Sequence, residues 1–386
     1  MEELRAAGVA SGLDTVGVAS AEPFTNTQHD LEERRAAGLS ATMQFTYRNP
    51  ARSTDPSVTL PGVASLVVGA LRYHRADPPG NATASDDRSG PGEEPMGRVA
   101  RYARQDHYAR LRSGLEAVAR RLGADGWATR VVADSNALVD REAARRAGLG
   151  WYGKSSNLLL EGQGSWFVLG SVLTDAPLPP AGEPVADGCG SCRRCLDACP
   201  TGAIVTPGVV DARRCLAWVV QAEGAIPREL RVPLGDRLYG CDDCQEVCPP
   251  NHRAARAVDG DLPAVPADGH DEPGVPLLDL LAAGDDELMA RHGRWYIPRR
   301  DPRYLRRNAL VALGNTGDPA DARVAAAVAA HLCHRDPLVR AHAVWAARRL
   351  GRFDHLGHQI TTDPAAEVRQ ELAAVPPPVV GAVTAP

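Results

Sequence analysis

Eight of the nine cysteines in this 386-residue chain fall between Cys189 and Cys248, and their spacing leaves that stretch little choice of structure. The first run is Cys189-x2-Cys192-x2-Cys195-x3-Cys199-Pro200. The second is Cys215, followed by Cys241-x2-Cys244-x3-Cys248-Pro249. A four-iron cluster takes four thiolates, and in paired bacterial clusters the fourth cysteine of each run ligates the other cluster. On that rule Cys189, Cys192, Cys195 and Cys248 hold one 4Fe-4S cluster, and Cys199, Cys215, Cys241 and Cys244 hold the second. Cys215 stands well upstream of its partners, which reads as an inserted segment and not as a lost ligand. A module of this kind passes electrons, so the remaining sequence has to supply their destination.

Other uses of these cysteines fit less well. A disulfide framework implies an oxidising compartment, yet no N-terminal apolar stretch reads as a secretory signal, and the chain is far larger than a stapled miniature domain. Zinc sites favour ligand pairs separated by a longer loop. Cys333, the ninth cysteine, lies in an alanine-rich helical tail and is expected to be an ordinary buried thiol. A net charge of −5 with 44% hydrophobic residues suits a soluble, cytoplasmic protein, and no apolar run is long enough to span a membrane. The mild acidity argues against coating nucleic acid non-specifically but leaves room for local basic patches. Nothing in the sequence demands a dimer, so a monomer is expected.

Along the chain the character changes several times. Ala64–Leu71, Ala128–Ala133 and Ser165–Leu173 are short β-branched, apolar runs that predict buried strands. Between the first two, Tyr108–Leu122 puts Leu111, Leu115, Val118, Ala119 and Leu122 on one helical face. Residues Ala76–Gly97 are rich in Pro, Gly, Ser and Asp and predict a mobile surface loop. Arg253–Asp285 reads as a connector with one short apolar stretch, Pro276–Ala283. Beyond Pro302, three arginine-bearing amphipathic segments, Tyr304–Gly314, Pro337–Gly351 and Pro364–Ala374, recur about every thirty residues and resemble stacked HEAT repeats.

Four polar motifs could carry chemistry. Asp134-Ser135-Asn136 follows the strand over Ala128–Ala133 directly, ahead of a helix expected over Leu138–Gly148; locally, capping of that helix is favoured over catalysis. Gly148 to Ser155 spells Gly-x4-Gly-Lys-Ser, the phosphate-loop pattern. Here, however, the motif follows a helix, and Trp151 and Tyr152 would crowd a phosphate, although its backbone N–H groups and Lys154 could hold another polar cofactor group. Arg101–Tyr108 is a polar cluster at a helix start, compatible with a solvated first turn. Arg291–Arg307 packs seven arginines among Trp295, Tyr296 and Tyr304, which suits either RNA contacts with base stacking or a charged face packed between domains.

Taken together, ARYARQDHY, VVADSNALVDREAARRAGLGWYGKSSNLLL, GSWFVLGSVLTD, CGSCRRCLDACPTGAI and YGCDDCQEVCPPN resemble the epoxyqueuosine reductase family, cobalamin-dependent enzymes of the last step of queuosine synthesis in tRNA. These stretches span residues 40–250, and the helical tail also fits. The resemblance implies an α+β multidomain chain. Residues 1–180 would be a nitroreductase-like α/β cobalamin and substrate domain, and 181–252 a ferredoxin-like domain with two 4Fe-4S clusters. Residues 253–300 would be a connector and 301–386 HEAT-like repeats. It also implies base-off cobalamin beside one cluster, with Asp134 as proton donor, reversing the capping preference, and it sets aside nucleotide binding at Gly148–Ser155.

By the same resemblance Asp134, Lys154, Asn157, Leu158, Ser165, Gly240, Asp242 and Asp243 would contact the cobalamin. Arg141 and the C-terminal repeats would meet the tRNA anticodon stem-loop, and within the arginine-rich segment Arg299 and Arg300 are the candidates. An external low-potential donor would feed the clusters. Two departures stand out: Leu216–Val220 is apolar where the family is often polar, and the first polar cluster reads Asp106-His107-Tyr108 where Asp-Tyr-His is usual. Asp268-Gly269-His270-Asp271-Glu272-Pro273 nearly spells a cobalamin motif but ends in proline within a linker, so it reads as chance. Reductive dehalogenase-type chemistry is the competing enzyme reading, disfavoured by the missing twin-arginine export signal and the repeat tail. A non-catalytic electron carrier is the competing reading without an enzyme.

Overall fold

The computed structural model describes residues 2–74, 93–181, 185–258, 273–356 and 362–379. It divides into two compact units: Met1–Ala76, Gln105–Cys215 and Asp242–Gly269 form the first, and Asp77–Arg104, Leu216–Cys241 and His270–Pro386 the second.

The first unit is built on a fully antiparallel sheet ordered Thr15–Ser20, Ser65–Arg72, Phe167–Thr174, Thr129–Ala133. All three expected strands are present. The two central strands are buried along nearly their whole length because helices cover both faces, which removes the alternation usual in antiparallel sheets. On one face lies the helix His107–Ala124, burying Leu111, Leu115, Val118 and Leu122. Gly69 and Gly170 let it approach: a Cβ at either position would stand 3.0 and 2.8 Å from Leu115. The other face packs Leu66, Val68, Phe167, Leu169 and Leu173 against Ala143, Ala144 and Ala147.

The helix on that second face runs Asp140–Arg146 and is capped by Val139. Asp134 therefore caps nothing, which corrects the local expectation; Leu138, 1% exposed, is drawn into the core instead of opening the helix. Gly148–Ser155 is not a phosphate loop. Gly150–Tyr152 pairs with Leu158–Leu160 as a hairpin, and a Cβ at Gly150 or Gly153 would collide with Leu159. The glycines serve that close approach.

In the second unit, Arg237–Tyr239, Met96–Val99 and Gly274–Pro276 form a three-stranded sheet. The helices Arg303–Thr316, Ala322–Leu332, Pro337–Arg349 and Ala366–Ala373 pack serially around a core that includes Leu280, Leu310, Val339 and Trp345. Three of these helices match the arginine-bearing segments. Ala322–Leu332 adds a fourth, burying Val324, Val328 and Leu332 at helical spacing. The connector is more ordered than its composition suggests, since Leu277–Ala282 and Asp285–His292 are helical. Met96–Val99 is a strand and not part of a loop. Residues 76–92 of that loop, and residues 268–272 of the near-cobalamin motif, lie outside the described residues.

Cys333 is exposed, contrary to expectation, because it falls on the C-cap of Ala322–Leu332, past the last buried turn. Among the described residues no helix is long and apolar enough to cross a membrane.

Candidate active site and cluster cysteines

Each cysteine run builds the same local device. Arg194–Asp197 and Asp243–Glu246 are one-turn helices, carrying Cys195 and Cys244 between flanking cysteines, with Pro200 and Pro249 closing each run. The two turns pack together. All eight cysteines of the runs are half-buried free thiols. Burial pushes the Cys248 thiol up to about 11, with Cys189, Cys195 and Cys192 adding to the rise. Cys195 is raised by burial and then by Cys189 and Cys192. These four thiols thus face one another, the grouping expected for the first cluster, and cationic iron is what such mutually repelling thiolates require.

No three His, Cys, Asp or Glu side chains among the described residues are arranged to hold a single ion. A four-iron cuboid asks instead for thiols spread around it. In the second set, the Ala203 amide donates to Cys199 Sγ at 3.2 Å. The Thr201 hydroxyl donates to the Arg214 carbonyl at 2.6 Å, which brings the chain beside Cys215 to the Cys199 turn. Cys241 packs on the apolar core of the second unit.

The hairpin over Gly150–Leu160 braces these runs. Lys154 Nζ donates to the carbonyls of Gly190 at 2.6 Å and Cys192 at 3.0 Å, and Asn157 Nδ2 donates to Cys244 Sγ at 3.8 Å. A buried polar network joins the sheet to the second turn. Ser165 Oγ donates to Gln245 Oε1 at 3.0 Å, and Asn251 Nδ2 donates to the Gln245 carbonyl at 2.8 Å. Gln245 Nε2 lies within bonding reach of Tyr73 and Asp242.

The acid group lies at the end of the strand Thr129–Ala133. Asp134 takes φ +48°, a left-handed backbone uncommon outside glycine. Arg112 donates to the Ala133 carbonyl at 2.8 Å. Beyond the acid, the Ser53 hydroxyl donates to the Asn136 carbonyl at 2.9 Å, and the Val139 amide donates to the Ser53 carbonyl at 3.0 Å. Burial raises the Asp134 pKa, Arg112 opposes the rise and Asp106 adds to it. Asp140 is raised well above the usual carboxylate range, by burial and then by Asp134. Tyr108 is raised by burial and then by Asp134 and Asp140.

Asp134 and Arg141 nevertheless reach solvent, and so does the deep-set Tyr152, 37% exposed. Arg141 acts on both Tyr108 and Tyr152, and Tyr108 also faces Asp134 and Asp140, so an acid, two phenols and a guanidinium lie in one neighbourhood.

The expected cofactor residues divide on this geometry. Asp134 stands exposed at the end of its strand. Lys154 and Asn157 reach the cysteine runs. The Leu158 side chain is spent in the sheet core, 4% exposed. Ser165 is engaged with Gln245 and Asn251, and Asp242 is buried beside Gln245. Asp243 opens the second turn. Gly240, at φ +76°, belongs to the second unit, where a Cβ would meet Ala100 at 2.4 Å. Sequence reasoning assigned no role to Tyr73, Tyr108, Arg112, Asp140, Gln245 or Asn251. Asp140 and Tyr108 were visible as polar residues of quoted motifs, but only the fold sets them around Asp134.

Paired cysteine turns on a unit that also bears an exposed acid of raised pKa define an iron–sulfur oxidoreductase. Residues 188–251 match the model of the 4Fe-4S double cluster binding domain. An epoxyqueuosine reductase of Xanthomonas campestris is 35% identical over 345 residues, covering 88% of this chain and 93% of that protein. That of Escherichia coli K12 is 32% identical over 350 residues, covering 89% and 88%. A crystal structure of epoxyqueuosine reductase with an epoxyqueuosine-modified tRNA-Tyr stem loop matches with TM-score 0.83 at 30% identity over 96% of both chains. A Bacillus subtilis epoxyqueuosine reductase with its catalytic loop swung out of the active site matches with TM-score 0.82 at 29% identity, again over 96% of both. The chain belongs to the epoxyqueuosine reductase family.

Proposed function

We propose that this protein reduces epoxyqueuosine to queuosine at the wobble position of tRNA, the last step of queuosine synthesis. The observation that carries the reading is Asp134, an exposed acid with a raised pKa, on the unit that groups Cys189, Cys192, Cys195 and Cys248. Opening the epoxide to an alkene consumes two electrons and two protons and releases the oxygen as water. Two 4Fe-4S clusters, supplied by an external low-potential donor, relay the electrons singly.

Base-off cobalamin, when bound, would supply the low-valent cobalt that delivers them to the carbon–oxygen bond. The residues present suit such a group, since part-exposed Tyr152 offers a flat ring and Asp134 an acid. Lys154 and Asn157 are better suited to holding the cysteine runs than the corrin. Asp134 gives a proton to the departing oxygen, and burial, which raises its pKa, favours the protonated form that this step needs. Arg141, exposed beside it, would hold the tRNA backbone or nucleoside by its fixed fork of donors.

Arg299 and Arg300 are the second set of tRNA contacts in this reading. Both are exposed, both take a left-handed backbone, and the neighbouring Tyr296, stacked against Trp218 at 6.4 Å, is still 59% exposed and presents its outer face to a base. Arg306 and Arg307 are buried in the second unit's core and do not belong to that surface. The reading keeps a monomer acting in the cytoplasm, with the four-part division at residues 180, 252 and 300 and HEAT-like helices at the end. Anaerobic incubation of cluster-loaded protein with cobalamin, a low-potential reductant and epoxyqueuosine-bearing tRNA tests it. The nucleoside should lose one oxygen mass; an unchanged nucleoside would overturn the assignment.

A further inference from the structure

We propose that Lys154 sets the potential of the first cluster: its ammonium, fixed on the turn Cys189–Cys192, makes that cluster easier to reduce. The inference rests on the two-cluster reading above and not on the identity of the substrate.

Lys154 is the only lysine among the 43 lysine and arginine residues of the chain, and its place uses what distinguishes the two cations. Nζ donates to the Gly190 carbonyl at 2.6 Å and to the Cys192 carbonyl at 3.0 Å, two acceptors converging on one atom. A compact ammonium with rotatable donors fits that arrangement, whereas a guanidinium presents its donors as a planar fork. The Cys192 amide donates to the Cys189 carbonyl at 3.0 Å, so the accepting loop is a closed turn with a cluster cysteine at each end. The lysine backbone is anchored as well. The Gly208 amide donates to the Lys154 carbonyl at 2.9 Å, and the Ser156 hydroxyl donates to the Gly208 carbonyl at 2.8 Å.

The ammonium's partners among the described residues are these two carbonyls alone. Arg193 and Asp197 of the same run pair with each other at 3.7 Å, and exposed Asp187 is engaged by the Cys189 amide at 2.8 Å. The Lys154 charge is therefore left uncancelled. Gly190 is exposed and Cys192 half-buried, so water would satisfy their carbonyls equally well; what the lysine adds is charge. Reduction places a further electron on a cluster that its thiolates already make negative, and a cation nearby stabilises the added charge. From the same hairpin the second cluster is met by a neutral donor, the Asn157 amide on Cys244 Sγ at 3.8 Å. Coulomb attraction falls with distance, so the lysine acts mainly on the first cluster.

The test is a redox titration of full-length, cluster-loaded protein followed by electron paramagnetic resonance, the first cluster being the one whose signal Cys192→Ser removes. Lys154→Met should disfavour reduction of that cluster by about tenfold, a fall of about 59 mV for one electron, with a smaller change at the second. Lys154→Arg keeps the charge and should recover most of the fall. If Lys154→Met loses iron, Lys154→Gln, neutral yet able to donate, gives the same reading. An unmoved potential in the neutral variants would overturn the inference. So would equal shifts at both clusters, or a Lys154→Arg potential as low as that of Lys154→Met, which would leave the lysine a strut alone. The potential is read whether or not the protein acts on epoxyqueuosine, so failure of the proposed function and failure of this inference remain distinct.

Discussion

The Arg112 guanidinium donates to the Ala133 carbonyl at 2.8 Å, one residue before the acid whose charge it also faces. It holds the strand end in place and pulls the Asp134 pKa down against burial. A proton donor must be protonated, so turnover falls as pH climbs through its pKa. Arg112→Met removes the lowering influence, and the alkaline fall of kcat/KM should move to higher pH. Asp134→Asn should lower turnover by about 10²- to 10⁴-fold with iron content intact. A fully active Asp134→Asn protein would remove this residue from proton delivery.

Asp140 makes stability depend on pH. Its native pKa is raised well above the unfolded value, by burial first. Below the unfolded value the group is neutral in both states and costs nothing. As pH rises, the unfolded chain ionises first, so the native state loses stability until the native pKa is passed. Asp140→Asn should accordingly raise Tm at pH 7 and have a smaller effect near pH 4, as calorimetry at the two pH values would reveal. An equal shift at both would mean that Asp140 is ionised in the native state.

Cys248 lies far along the chain from Cys189, Cys192 and Cys195 yet faces them. Cys248→Ser should therefore damage the cluster of the first run, while Cys199→Ser damages the other. Electron paramagnetic resonance of the two reduced variants distinguishes these outcomes. Loss of the same signal in both would refute the interlocked assignment.

Arginines of the segment 291–307 should separate into two behaviours. Arg307 is 0% exposed and donates to the carbonyls of Ala222 at 2.7 Å, Gly224 at 2.6 Å and Val220 at 3.0 Å. Arg307→Met strands those acceptors and should destabilise the protein by about 3 kcal/mol or more. Arg299→Ala and Arg300→Ala should leave Tm within about a degree or two, because the Arg299–Glu223 pair is exposed and weak. They should instead weaken tRNA binding and reduce the salt slope by about one per lost phosphate contact. Filter binding across a salt series would read this.

The strands and the long helix of the first unit were legible because their apolar runs carry a burial pattern that no neighbouring residue can alter. The paired cysteine turns were legible too, since the spacing alone marks two like runs, each built on a one-turn helix. Less could be read where a residue's role depends on distant chain. Asp134 looked like a cap because the helix start moved to Asp140 only when Leu138 found the core. What Lys154 and Asn157 reach was not legible, because nothing local indicates that the hairpin runs to the cysteine turns. Arg307 sat in a segment that suited RNA contact and interdomain packing alike, because composition does not reveal that three carbonyls, over eighty positions away, surround it.

The return of Cys248 to the first run has a consequence for how the protein matures. Iron that joins these thiols acts as a cross-link closing a ring of about fifty residues, and by the chain-entropy relation such a ring removes ~4 kcal/mol of freedom from the unfolded chain. The excursion from Leu216 to Cys241 into the second unit lies inside that ring. Metal delivery is thus a folding event as much as an activation step, and iron starvation should expose this segment to proteolysis before the sheet of the first unit gives way.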